Sequence, residues 1–128
     1  MTSLIQTDIT EIEKTDYWDY ERGYTIYSLV NLDNGKRYIG RTKNLRERLH
    51  QHFLDLNIGK HKNKALNKDC KCRFGFEILE RKVSFVQRTD KERQYMIWYR
   101  TYDERYGYNL NDPCLKTFLK NEDTQHEG

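Results

Sequence analysis

Tyr27 and Tyr38 stand in two alternating apolar runs, and the segment after them carries Arg48 and His52 at i,i+4, stacked on one helical face. His61 follows in a lysine-rich stretch, and Glu92 stands at the start of a later helical pattern. These are the group types that phosphodiester hydrolysis needs. A hard divalent cation takes a carboxylate, a pentacovalent phosphorane takes cationic donors such as a guanidinium, and the attacking water takes a base. Each residue also has a plain structural use. The phenols suit half-buried strand positions with their hydroxyls at the water's edge. Thr89-x-x-Glu92 has the pattern of a capping box, His52 suits a solvated partner of Arg48, and His61 suits a loop. Asn109, shortly before Asn111-Asp112-Pro113, suits an Asx turn.

Bringing these groups together requires a hairpin and the helices that follow it. Residues 24–31 alternate in the strand period, with Tyr24, Ile26, Ser28 and Val30 on one face and Thr25, Tyr27 and Leu29 on the other. Asn34-Gly35 predicts the turn and residues 37–41 the returning strand. Asn44, with Glu47 three residues on, predicts a capped helix whose stripe is Leu45, Leu49, Phe53 and Leu56 and which stops at Asn57-Ile58-Gly59. A short basic helix is predicted over 62–71 and a third strand over 74–79. A longer helix is predicted from Thr89 or Asp90 to about Tyr106, stopped by Gly107.

The expected fold is therefore a small α/β (α+β) domain, a three-stranded, mainly antiparallel sheet flanked by helices, with an N-terminal arm. At 128 residues the chain holds one modest core. The expected divisions are an acidic arm over 1–21, the domain over 22–112 and a tail over 113–128. Tyr17, Trp18 and Tyr20 are expected to pack the arm on the body.

Thr25-Ile26-Tyr27 followed by Tyr38-Ile39-Gly40 resembles the paired tripeptides of the GIY-YIG nuclease superfamily. The likeness continues in order through Arg48, His52, His61, Glu92 and Asn109, and spans about Gly23 to Asp112. "HFLDLNIGKH" and "FGFEILE" resemble the branch of phage intron-encoded homing endonucleases. The leading glycine of the first tripeptide is Thr25, a good strand former at a backbone position. The resemblance implies a DNA endonuclease with one Mg²⁺ or Mn²⁺ held by Glu92 and no small-molecule cofactor. It makes Tyr27, Tyr38, Arg48, His52, His61 and Asn109 the catalytic set, with Tyr27 the candidate base, its phenol lowered by neighbouring cations. A structure-specific repair-type nuclease and a non-catalytic nucleic-acid-binding module of the same fold are the alternatives. The homing enzymes continue into a separate DNA-binding region, whereas about sixteen residues follow the motif set here.

Charge divides along the chain in keeping with a nucleic-acid partner. The first 21 residues hold six acids and one base, whereas residues 36–73 hold 12 bases and three acids. Such a concentration is the electrostatic footprint of a phosphate backbone, or else a solvated lysine face. Arg41, Lys43, Arg46, Lys60, Lys62 and Lys64 are the expected backbone contacts, which position a duplex without reading it. No apolar run approaches the roughly 18 residues a membrane span needs, and no signal-like N-terminus is present, so an intracellular setting in a bacterial or phage-infected cell is expected. Cys70, Cys72 and Cys114 fit ordinary reduced thiols better than a zinc site completed by His61. Monomer and homodimer are equally compatible with the sequence.

Overall fold

The computed structural model describes residues 5–12 and 23–110. Three antiparallel strands form the sheet in the order β2-β1-β3. They are β1 (Tyr24–Asn31), β2 (Arg37–Thr42) and β3 (Phe74–Val83). Helix α1 (Leu45–Ile58) follows the hairpin, α2 (Lys64–Lys68) leads into β3, and α3 (Arg88–Tyr99) follows it. The alternation read in residues 24–31 separates two cores. Tyr27, Leu29, Leu45, Leu49, Leu56, Leu66, Phe76 and Tyr108 pack on one face of the sheet, and Ile26, Ile39, Val83 and Met96 on the other. The two faces share the central strand β1, so the position of Tyr27 is set from both sides.

Several local expectations are adjusted by tertiary structure. In the hairpin turn only Gly35 takes the left-handed conformation, at φ 79. β3 runs on to Val83, past the predicted end at Leu79, because it stays paired with β1 as far as Tyr24, with two register shifts between Tyr24 and Tyr27. Such bulges increase twist and re-aim side chains, here beside Tyr27. Asn44 flanks α1, but its amide donates to Glu47 Oε2 at 2.9 Å instead of making a backbone cap. α2 is shorter than predicted and is capped by Asn63, whose Oδ1 accepts from the Leu66 amide at 3.0 Å.

α3 ends at Tyr99 and does not reach Tyr106. Arg100 turns left-handed at φ 56, and the Arg100 and Thr101 amides return to Ile97 and Met96. The chain must turn there because Thr101 packs directly on Gly107, where any Cβ would lie 2.3 Å from the Thr101 Cα.

Each outer strand of the sheet carries one further backbone bridge, which blunts part of its edge. Gln6, from the expected arm, exchanges two 2.7 Å backbone hydrogen bonds with Phe76 on β3. On β2, Arg37 receives and donates backbone bonds with Tyr106 and Tyr108. Arg37 also pairs with Glu77 across the sheet at 2.6 Å, beneath the Tyr99 ring. Tyr17, Trp18 and Tyr20, Cys114 and the tail over 113–128 lie outside the described residues.

Candidate active site

Tyr27 and Gly40 are direct partners across β1 and β2. The phenol lies against the glycine so closely that a Cβ there would sit 2.4 Å from Tyr27 Oη and 2.5 Å from its ring. The last residue of Tyr38-Ile39-Gly40 is thus the berth of the first tyrosine. With only 1% of its surface exposed, Tyr27 extends to His52 on α1, its Oη lying 2.6 Å from Nε2. His52 Nδ1 meets His61 Nε2 at 2.8 Å. The two imidazole planes differ by 9° and their centroids are 5.0 Å apart, so the rings lie edge to edge in nearly one plane. Tyr38 approaches His52 edge-on, with centroids 5.5 Å apart.

The electrostatics follow from burial. Desolvation, the negative form of Tyr38 and Glu92 push the Tyr27 pKa well above the ordinary tyrosine value, while Arg48 pulls it down. Tyr38 is raised by burial and by Glu92, and lowered by Arg48. In this structure burial outweighs the cations, which corrects the expectation that neighbouring charge lowers the Tyr27 phenol. His52 is pushed down to about 3 by burial, then by His61 and Arg48, and His61 is lowered by burial. Both imidazoles are neutral near pH 7.

Arg48 is exposed one turn before His52 and lines a hollow of about 260 Å³ with Thr42, Asn44, Glu47 and Gln51. Glu92 sits in the first turns of α3. The helix begins at Arg88 behind Gln87, so Thr89 is already inside it and no capping box forms. The Glu92 carboxylate is instead held by Arg41 of β2, with Nη1 to Oε1 at 2.8 Å. Arg41 is therefore engaged at the site and is not a free surface cation. Among the described residues no three His, Cys, Asp or Glu side chains form a preassembled metal cage. One carboxylate suits a hard ion whose remaining positions are filled by phosphate oxygens and water, as Mg²⁺ prefers.

Asn109 does not point into this group. Its amide clasps the backbone of Ile39, accepting from the Ile39 N–H at 2.8 Å and donating to the Ile39 carbonyl at 2.9 Å. It holds the strand that carries Tyr38, Gly40 and Arg41. Lys43, Lys60, Lys62 and Lys64 are exposed and Arg46 is half-buried. Lys43 Nζ stands 5.4 Å from the centre of the Tyr24 ring. Sequence reasoning missed Asn63 and Asn67. The Asn63 amide donates to His61 Nδ1 at 3.0 Å, and Asn67 Oδ1 accepts from the His61 amide at 2.9 Å. The signal available was Asn63 as a cap for α2, which also places its backbone two residues beyond His61.

The model of the GIY-YIG catalytic domain matches residues 23–109. The chain belongs to the GIY-YIG family. Two solved structures share the fold of this GIY-YIG domain. The catalytic domain of homing endonuclease I-TevI is 25% identical with a TM-score of 0.60, covering 71% of this chain and 99% of that one. A mutant of the catalytic domain of intron endonuclease I-TevI is 27% identical with a TM-score of 0.59, covering 70% and 95%. A comparison with curated protein sequences finds no match. The three-stranded antiparallel sheet with flanking helices is thus the GIY-YIG fold, and family membership implies endonuclease chemistry. Among the described residues no helix is long and apolar enough to cross a membrane.

Proposed function

We propose that this GIY-YIG domain is a divalent-metal-dependent DNA endonuclease of the homing type, with Glu92 as the carboxylate that holds one Mg²⁺ or Mn²⁺. The observation that carries the reading is convergence. Tyr27 and Tyr38 stand on the two paired strands of one hairpin, His52 of α1 meets the Tyr27 oxygen at 2.6 Å, and Glu92 of α3 is held at 2.8 Å by Arg41 of β2, the strand of Tyr38. The likeness to the I-TevI catalytic domain supports the homing branch.

Bound at Glu92, the cation would supply positive charge to a non-bridging phosphate oxygen and to the departing 3′ oxygen. Arg41 releases or shares the carboxylate and, being already beside it, turns its guanidinium to the phosphate. Arg48, from α1, stabilises charge developing on the phosphorane. Tyr27, once its own phenolic proton has passed to solvent, takes the proton of the attacking water as a phenolate. Burial is the main cause of its raised pKa, and a cation at Glu92 would remove only the smaller opposition of that carboxylate to the phenolate. Tyr38 and His52 orient that oxygen, His61 orients His52, and Asn109 acts through Ile39 to keep β2 in place. Lys43, Arg46, Lys60, Lys62 and Lys64 are assigned to the DNA backbone.

The test is incubation of plasmid with the protein, with and without Mg²⁺, beside linear duplex, flapped and branched DNA. Strand cleavage is expected only with the metal. Glu92→Ala is expected to abolish it while leaving salt-sensitive binding in place. Tyr27→Phe is expected to lower the rate by roughly 10²-fold or more, the scale of general base catalysis. Parental rates from both variants would refute the assignment, and preferential cutting of flaps would move the protein to the repair-type class.

A further inference from the structure

Three hydrogen bonds leave only one arrangement of protons on the histidine pair. A backbone amide can only donate, so the Asn63 N–H, 3.0 Å from His61 Nδ1, requires a lone pair on that nitrogen. Neutral His61 then carries its proton on Nε2 and donates it to His52 Nδ1 at 2.8 Å. His52, accepting at Nδ1, carries its own proton on Nε2, 2.6 Å from Tyr27 Oη. The tautomer of a histidine is set by the bond its other nitrogen makes, and here that rule applies twice in series. The in-plane meeting of the two rings is the geometry such a bond requires. Neutral imidazoles, as burial dictates for both residues, complete the chain.

We propose that the Asn63 main-chain amide is a tautomer lock: it makes His61 and then His52 a donor, so that the Tyr27 oxygen receives a hydrogen bond and its own proton stays outside the pair. The inference rests on the nuclease reading and deepens it. The histidines are then positioning residues that favour the phenolate, since a hydrogen bond to the charged form stabilises it. They are not a relay that draws the phenol proton inward, because the end of the chain at His61 Nδ1 is closed by the amide. The lock is itself held. Asn63 Oδ1 caps α2, Asn63 Nδ2 donates to the Tyr108 carbonyl at 2.8 Å, and the His61 amide donates to Asn67.

Long-range ¹H–¹⁵N spectra of the histidine-labelled parent protein at neutral pH read the lock directly. Both His52 and His61 are expected as the Nε2–H tautomer, and an Nδ1–H form at either residue overturns the proposal. Two variants add function. His61→Leu removes the donor to His52 and is expected to shift His52 toward Nδ1–H and lower kcat about tenfold or more, with KM within roughly twofold. His61→Gln keeps a donor of similar reach and is expected to restore most of the rate. Equal rates in the leucine and glutamine variants, or an unchanged His52 tautomer in the leucine variant, overturn the proposal. Should His61→Leu fail to fold, the parent spectra still decide. Absence of cleavage by the parent protein would instead strike the nuclease reading and leave the tautomer result standing.

Discussion

A glycine opposite a tyrosine in a strand pair gives up packing and backbone restriction, and Gly40 does so to admit a ring. Tyr27 has almost no surface left to water and is tethered at its oxygen by His52, so it has little room to give way. An alanine methyl at position 40 must displace either the phenol or β2. Gly40→Ala is expected to cost about 1–3 kcal/mol, as overpacking does. It is also expected to break the 2.6 Å Tyr27–His52 hydrogen bond, so cleavage falls more steeply than stability. Thermal melts and cleavage rates on the same preparation check this, and a variant with parental stability and rate would show that the ring is not held where the structure places it. Thr25, the departure in the first tripeptide, is half-buried two residues before the phenol and pairs with Thr42, so a β-branched residue serves that backbone position.

At the scale of elements, what was legible was what is local. Strand alternation set Tyr27 and Leu29 on the face of β1 opposite to Ile26, the face that the structure packs on α1, and Asn44 and Gly59 bounded α1 within a residue. The joints between elements were not legible. Arg41 and Glu92 are 51 positions apart, Asn109 and Ile39 are 70 apart, and only the folded sheet makes them neighbours. The predicted end of α3 failed for the same reason, since Thr101 must meet Gly107 and the aromatic pattern through Tyr106 looks helical without that packing. Asn109 shows how an apparent turn residue acts as a joint. Its amide satisfies both backbone groups of Ile39 on the outer edge of β2. Asn109→Ala leaves a donor and an acceptor of that strand without their partner, at an expected cost of about 1–3 kcal/mol. Hydrogen exchange at the Ile39 amide is expected to quicken and cleavage to drop with binding retained. Protection of Ile39 equal to the parent's would remove the joint.

Across the whole molecule, catalysis and electrostatics share one stretch of chain. From Lys60 to Lys64 the residues alternate: Lys60, Lys62 and Lys64 are exposed, while His61 and Asn63 are partly buried and bonded into the site. The same segment that closes the histidine chain therefore turns three ammonium groups outward. A duplex seated with its scissile phosphate at Glu92 and Arg48 would be gripped along this segment, and each neutralised phosphate would release condensed counterions. Replacing Lys60, Lys62 and Lys64 by alanine is expected to flatten the slope of log K against log salt by about 0.9 for each phosphate the protein then leaves unneutralised. The weakening should be uniform across DNA sequences, because ammonium groups on the phosphate backbone position a duplex without reading it. Cleavage at saturating protein should stay within a few-fold of the parent at most, since ground-state binding that is equal in the transition state leaves kcat unchanged. An unchanged salt slope would place the DNA on another face, and a collapse of kcat at saturation would mean that the outward lysines and the inward histidine chain are not separable functions of this segment.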